Sequence, residues 1–528
     1  MFKVFCKKLN ILIFATVLVI GLGITTLSWG AQVAASGESE FDAEEEPNLV
    51  FPVISDTQVG GEREELRNFN NAFKQLNSLA PKQDAFVFIG DETEHGYEEE
   101  YDDWMSVFNN HIQPQAEQLI GIGNHEYQNN SSVEESKQRF LDKTGMDSLY
   151  YNKVINDYNF IMLGEESGYF YSKDQVEWLG KQLNKAEQRD PEKPIFVFLH
   201  HGIKDTTYGT DDWYIDDDNQ KLLRDTLEQY PQVILMAGHT HYPISDPRSI
   251  YQKDYTTVNT GSVAYMWTEP GYLQGEVPET EVSNGLLVEV YDDRVVINRR
   301  SFTANDWIGD PWVIETAGNN KEHFKYTNDR DPENPYFEDD ATITVNQNET
   351  TTSGLNIAFT QATDNLLTHS YKVTAKNQKT GEVENEFKAF SEYYEAQIPD
   401  PLELPVDNLQ PATTYDISIR AIDAFGNMSK NTLATTASTQ VEDVAGMKNL
   451  VEQFNKNGEF KNKQTFRALK IHLDAVEHYK KQDKSNKAVK HMKGFKLLVQ
   501  QQKNDELISE KTYNAFKMNA DYLLEKWQ

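Results

Sequence analysis

A chain of 528 residues with a single cysteine cannot be held by a disulfide scaffold, and that thiol, Cys6, sits among the lysines that open the sequence. A cysteine nucleophile is excluded with it, which leaves His, Asp, Asn and Gln as the available metal ligands. Positive charge is also scarce: 50 Lys+Arg stand against 84 Asp+Glu, a formal net charge of −34. The deficit is uneven. From Met447 onward 17 Lys+Arg meet 10 Asp+Glu, a balance of +7, so the rest of the chain carries −41. An acidic body argues against general nucleic-acid affinity, and no specific nucleic-acid partner is expected; the basic tail is the part suited to anionic polymers.

The opening residues read as a targeting segment. Lys3, Lys7 and Lys8 precede an uncharged apolar run from Ile11 to Leu27, and Val33-Ala34-Ala35 supplies a cleavage site. Residues 1–35 are therefore expected to be a secretory signal peptide and the product to be secreted. The alternative is an uncleaved membrane anchor, since about 17 apolar residues lie at the short end of what spans a bilayer. The acidic residues 36–47 read as a solvated leader.

At this length several domains are expected. Five short polar motifs each close an apolar, β-rich stretch: Asp56-Thr57-Gln58 after Phe51 to Ser55, Gly90-Asp91-Glu92-Thr93-Glu94 after Phe86 to Ile89, Gly123-Asn124-His125-Glu126 after Leu119 to Ile122, His200-His201 after Ile195 to Leu199, and Gly238-His239-Thr240-His241 after Val233 to Ala237. Strands deliver side chains to one rim of an α/β sheet in this way, so the motifs should converge. Leu66, Phe69, Phe73 and Leu76 mark one packing helix. Ser172 with Gln175 predicts a capping box opening a second, with Val176, Leu179 and Leu183 on one face.

Phosphate esters are anionic and repel hydroxide, and two divalent cations remove that difficulty by neutralising phosphoryl oxygens and acidifying a bridging water. A bridging carboxylate with imidazoles and amides around it is what such a site requires, and Asp91 is the natural bridge. Taken singly these residues are weak signals, because a histidine after a strand is more often a hydrogen-bonded rim residue. Yet five of the chain's twelve histidines fall in the motifs. His95, His111, His323 and His369 have no such company.

Taken together, residues 48–325 resemble the calcineurin-like metallophosphoesterases, whose pattern runs Asp-x-His, Gly-Asp-x-x-(Asp/Asn), Gly-Asn-His-(Asp/Glu), a lone or paired His, and Gly-His-x-His. Asp174 to Leu179 is similar to the family's Gln-x-x-Trp-Leu helix. The resemblance implies two β-sheets flanked by helices and a two-metal hydrolase of phosphate mono- or diesters, acting by attack of a metal-bridging hydroxide. It places Asp56, Gln58 and His241 on the first metal, Asp91 between both, and Asn124, His200 and His239 on the second. His125 would meet the phosphoryl group or leaving oxygen, with the Glu94 carboxylate orienting its ring; His201 and Glu126 would support the site. Gln58 departs from the family's usual His, and an oxygen ligand there moves the expected metal from zinc towards manganese, with iron or zinc as alternatives. A different class of reading makes the domain a degenerate, non-catalytic scaffold in a surface-binding or adhesion protein.

The polar stretch Asn328 to Pro335 breaks the α/β pattern and predicts a linker over 326–337. Over 338–440 the period becomes two: Leu355, Ile357 and Phe359, then Tyr371, Val373 and Ala375, then Tyr415, Ile417, Ile419 and Ala421. Leu409 to Tyr415, with the turn Ala424 to Ser429, resembles the fibronectin type III signature, which implies an all-β sandwich, a tyrosine bonded back to the backbone at a corner, and a spacer role. Residues 447–528 carry three helical stripes, led by Phe466, Ala488 and Tyr513, and predict a small all-α bundle. Within it Asn486 to Phe495 and Ile508 to Lys511 resemble the FIMAH module of exported proteins of Gram-positive bacteria. That implies a cell-surface setting, with anionic wall polymer as a partner of the tail alongside a phosphate-ester substrate. No Leu-Pro-x-Thr-Gly sorting motif precedes a terminal apolar run, so covalent anchoring is not expected.

Overall fold

The computed structural model describes residues 45–527 other than 62–63, 212–217, 276–281, 317–320, 347, 412, 441–442 and 457. The expected signal peptide and most of the acidic leader lie outside the described residues. Among these residues no helix is long and apolar enough to cross a membrane.

Two β-sheets face each other in the first part of the chain. One holds, in spatial order, Asp306–Trp307, Arg294–Ser301, Asn284–Val290, Leu49–Ile54, Ala85–Ile89 and Glu117–Gly121, with Trp312–Glu315 beside the second of these. The other runs Tyr151–Ile155, Tyr158–Met162, Ile195–Leu199, Val233–Ala237, Thr256–Asn259 and Ile250–Gln252. Their central strands are parallel and apolar throughout, as in Phe86-Val87-Phe88-Ile89 and Ile195-Phe196-Val197-Phe198-Leu199, because both faces of each sheet are covered. Between the sheets Phe51 meets Phe160 and Phe196 edge-on at 4.9 and 5.0 Å. On the outer faces helices Glu65–Leu79 and Glu98–His111 cover one sheet, and Lys173–Arg189 and Asp218–Leu227 the other.

Two local expectations change. Leu66 is 41% exposed, so the apolar part of the first helix's buried face starts at Phe69. Ser172 caps its helix by accepting the Gln175 backbone N–H, but the Gln175 side chain turns inward and bonds both the N–H and the C=O of Gly164. Tying the loop after Tyr158–Met162 wins over closing the box.

The middle of the chain is a fibronectin type III-like sandwich. A three-stranded sheet (Ile343–Val345, Leu355–Phe359, Leu402–Val406) packs on a four-stranded one (Val383–Phe390, Thr368–Asn377, Thr414–Asp423, Leu433–Ser438). The alternating residues Leu355, Ile357, Phe359, Tyr371, Val373, Tyr415, Ile417 and Ile419 form its core. The Tyr415 hydroxyl accepts the Gln410 backbone N–H at 2.8 Å and bonds the Glu384 carboxylate, which is the expected corner.

The sandwich is more than a spacer. The backbone N–H of Leu273 donates to the Lys388 carbonyl, Gln274 exchanges hydrogen bonds with the Phe390 backbone, and Tyr272 stacks on Phe390 at 3.9 Å. Met266 packs with Phe390, Tyr393 and Tyr394. Residues around 330 are pinned as well, since the Arg330 guanidinium donates to the carbonyls of Pro247 and Ile250 and Phe337 is part of the sandwich core.

The C-terminal part has four helices where three were expected: Val444–Lys456, Lys463–Lys481, Ser485–Asn504 and Glu510–Trp527. Val444, Met447, Leu450, Val451 and Phe454 of the first join the core of the bundle. Its apolar face starts beside Gly446, which masks the stripe in the sequence.

Candidate metal centre

The five motifs meet at the C-terminal rim of both sheets. Asp56 and Gln58 follow Leu49–Ile54, Asp91 follows Ala85–Ile89, and Asn124 and His125 follow Glu117–Gly121. From the opposite sheet His200 follows Ile195–Leu199, and His239 and His241 follow Val233–Ala237. Asp56, Gln58, Asp91, His239 and His241 all have positive φ, between 40° and 67°. Side chains at such positions carry backbone strain of order 1–3 kcal/mol each, sustained by the surrounding fold. The loops also approach closely: a Cβ on Gly123 would overlap Asp91 Oδ1, and one on Gly90 would come within 2.9 Å of His200 Nδ1.

His200 is buried, and its Nδ1–H donates to the Ile89 carbonyl at 2.8 Å. That fixes the tautomer and aims Nε2 at Asp91 Oδ2 (3.0 Å) and Asn124 Oδ1 (3.1 Å), with Asp56 Oδ1 at 3.9 Å. His241 repeats the arrangement, with Nδ1–H on the Tyr265 carbonyl at 2.9 Å and Nε2 at 3.1 Å from Asp56 Oδ1. Burial alone would raise the Asp91 carboxyl, but His200 and His125 outweigh it and hold the group well below the usual carboxylate range. Burial likewise opposes a charged His200, yet Asp91 and Asp56 push that imidazole well above its ordinary value. His239 goes the other way, driven well down by burial and then by His201, His200, His241 and His125.

Asp56, Asp91 and His200 each place one donor atom within 4.8 Å of the others, and so do His200, His201 and His239. The carboxylate oxygen Asp56 Oδ1 and the amide oxygen Gln58 Oε1 are buried and accept no hydrogen bond. Oxygens in that state, flanked by two imidazole nitrogens with fixed tautomers, fit divalent cations; the arrangement is a candidate dinuclear metal site.

His125 differs from the expectation in what holds it. Its Nδ1–H donates to the backbone carbonyl of Glu94 at 2.7 Å, whereas the Glu94 carboxylate is 3.9 Å away. A long glutamate following a tight turn brings its main chain, not its side chain, against the ring. Burial counts against the imidazolium, but Asp91 and the Glu94 carbonyl raise His125 above its ordinary value.

Two buried glutamates organise the loops. Glu126 accepts the backbone N–H groups of Asp91, Thr93 and Gly123 at 2.9–3.1 Å and the Thr93 hydroxyl at 3.0 Å. Burial and then Asp91 lift its carboxyl to about 7. Glu165 takes the backbone N–H of His201 at 3.2 Å and bonds its Nδ1, and the His201 ring lies against His239, tilted 36° at a centroid distance of 3.5 Å. Glu165 was not among the residues read from the sequence, although it too follows a buried strand, Tyr158–Met162. The site opens into a cleft of about 330 Å³ walled by Tyr169, Tyr265 and Trp267. Trp267 neighbours Met266, which packs on the sandwich.

The family model for calcineurin-like phosphoesterase matches residues 50–243, the span that holds every one of these motifs. Residues 50–243 form a calcineurin-like phosphoesterase domain. The FIMAH domain model matches residues 444–525 and includes the helix Val444–Lys456. A relative from Arcobacter nitrofigilis named "Probable glycerophosphodiester phosphodiesterase GpdQ" is 31% identical over 188 residues, covering 32% of this chain and 61% of the relative, less than two thirds of its length. Among solved structures, purple acid phosphatase PPD1 from yellow lupin aligns at 15% identity over 51% of this chain and 55% of that one, with a TM-score of 0.40. The fn3 domain of the human collagen alpha-1(XX) chain aligns at 16% identity over 21% and 88%, with a TM-score of 0.16.

Proposed function

We propose that the protein is an exported, metal-dependent phosphodiesterase. The observation that carries the activity is the convergence of Asp56, Gln58, Asp91, Asn124, His200, His239 and His241 at one rim, with Asp56 Oδ1 and Gln58 Oε1 buried and unbonded. Asp56, Gln58 and His241 would hold one cation, Asn124, His200 and His239 the other, with Asp91 shared. The name of the Arcobacter relative favours diesters over monoesters. When bound, two divalent cations neutralise phosphoryl oxygens and acidify a water. Three oxygen donors and one imidazole at the first position favour manganese over zinc.

The chain's own groups do the rest. Tyr169, Tyr265 and Trp267 give the substrate's organic part aromatic walls to lie against. His125, fixed by the Glu94 carbonyl, keeps its Nε2 edge towards the rim, where it hands a proton to the leaving oxygen as water displaces it from phosphorus. His201 stays clamped to Glu165 and steadies the His239 ring beside it.

The basic C-terminal helices serve in this reading to hold the enzyme on an anionic cell-wall polymer. Ser485–Asn504 supports it with five lysines and no acidic residue, and Lys487, Lys490 and Lys493 are exposed. The deciding assay is hydrolysis of bis-p-nitrophenyl phosphate and a glycerophosphodiester with Mn²⁺, against chelated protein and against monoesters. Turnover of diesters that chelation removes is expected. Metal-loaded protein that hydrolyses none of these esters would return the domain to the scaffold reading.

A further inference from the structure

A second carboxylate cluster lies away from the rim, where the chain enters the sandwich. Asp331 comes from the entering segment, Asp364 from the loop between Leu355–Phe359 and Thr368–Asn377, and Asp423 from the end of Thr414–Asp423. One oxygen from each falls within 4.8 Å of the others. Asp331 is only 4% exposed and Asp423 2%.

Asp331 and Asp364 are each held by one oxygen, Asp423 by both. Asp331 Oδ1 accepts from the Glu333 N–H and Asn365 Nδ2, Asp364 Oδ1 from the N–H groups of Leu366 and Leu367, and Asp423 Oδ1 from those of Phe425 and Asn427. Asn427 Nδ2 also donates to Asp423 Oδ2. Asp331 Oδ2 and Asp364 Oδ2 are buried and accept nothing. Among the described residues no Lys or Arg pairs with any of the three. The adjacent Arg330 spends its donors on the carbonyls of Pro247, Ile250 and Thr327. Burial outweighs their hydrogen bonds and, with a smaller push from Asp331, lifts the Asp364 and Asp423 carboxyls above the usual range. Three negative groups thus share a small buried space, with two oxygens left unserved.

We propose that Asp331, Asp364 and Asp423 bind one calcium ion that fastens the entering segment to two loops of the sandwich. The donors are all oxygen, which selects a hard cation, and three carboxylates fixed on separate segments suit the looser geometry of calcium better than the strict octahedron of magnesium. The ion offsets two of the cluster's three negative charges and serves the two idle oxygens. Because Arg330 next door bonds Pro247 and Ile250, the tie also steadies the junction with the phosphoesterase domain.

The test uses the full chain with the rim site saturated with Mn²⁺, titrated with CaCl₂ by calorimetry and followed by thermal unfolding. One calcium per chain is expected, with a Kd of about 10⁻⁴–10⁻³ M, the range of extracellular modules, and a rise in Tm of a few degrees. Asp364→Asn, at a half-exposed position, should weaken calcium binding at least about tenfold while leaving diester turnover unchanged and the calcium-free Tm equal or higher, since it relieves repulsion. Asp423→Asn should lose the same calcium. Overturning results would be wild-type protein with no calcium-dependent heat or Tm shift, unchanged stoichiometry in both variants, or magnesium binding as tightly as calcium.

Discussion

The side-chain nitrogen of Gln58 lies 3.1 Å from Nε2 of His125. In the neutral ring, with Nδ1 donating to the Glu94 carbonyl, Nε2 accepts from the Gln58 amide, and Gln58 Oε1 is left buried without a hydrogen bond; a proton on Nε2 displaces this contact. In the proposed reading a single amide would serve the metal position with its oxygen and steady the His125 ring with its nitrogen. Gln58→His should raise activity with Zn²⁺ relative to Mn²⁺, because an imidazole is the softer ligand, and lower total turnover because the contact to His125 is lost. Side-by-side metal titrations check this; an unchanged Zn/Mn ratio would mean that Gln58 does not reach the metal.

Asp91 touches His200, the backbone of His125 and, through its own N–H, Glu126. Asp91→Ala should remove both metals and all measurable turnover while the domain stays folded, as judged by elemental analysis and circular dichroism. Wild-type turnover with two metals bound would sink the assignment.

Glu126→Gln tests the loop organiser. The carboxylate accepts four hydrogen bonds, and an amide must turn its NH₂ on backbone N–H groups. The expected loss is about 10- to 100-fold in metal affinity or activity, without change in substrate preference.

His125 and Glu94 separate by the same logic. His125→Asn should lower kcat by about 10²–10⁴, the usual worth of a positioned proton donor. Glu94→Gln should cost less than about fivefold, since the ring is held by the main-chain carbonyl and a carboxylate 3.9 Å away contributes little. Equal losses in the two variants would restore the carboxylate as the orienting group.

His369 supplies a pH test of the junction between phosphoesterase domain and sandwich. Burial, and then the Arg248 guanidinium, push its imidazole down to about 3. The unfolded chain takes up a proton below about 6.5 and the folded one does not, so stability is full above that pH and falls as the pH drops towards 3. The slope from this residue is at most about 1.4 kcal/mol per pH unit. Unfolding followed from pH 7.5 to 5 should show a decline that His369→Asn flattens.

What the sequence disclosed follows from how each feature is encoded. Asp56, Asp91, Asn124, His200, His239 and His241 were readable because each ends a buried strand, and strand ends in an α/β sheet share a rim. The hold on His125 was not readable, because sequence does not distinguish a residue's carbonyl from its carboxylate, and here the turn presents the former. Asp331, Asp364 and Asp423 lie on three separate segments that only the sandwich brings together, so no spacing announces them. The stacking of Tyr272 on Phe390 joins two domains through residues that read as ordinary loop and strand.

The candidate ligands are divided between the two sheets, with Asp56, Gln58, Asp91 and Asn124 on one and His200, His239 and His241 on the other. Cations held there would rivet the layers across their shared rim, and chelation would then be a mechanical event as well as a catalytic one. Amide hydrogen exchange should quicken together in Ala85–Ile89 and Ile195–Leu199 when metal is withdrawn, while the helices of the C-terminal bundle keep their rates.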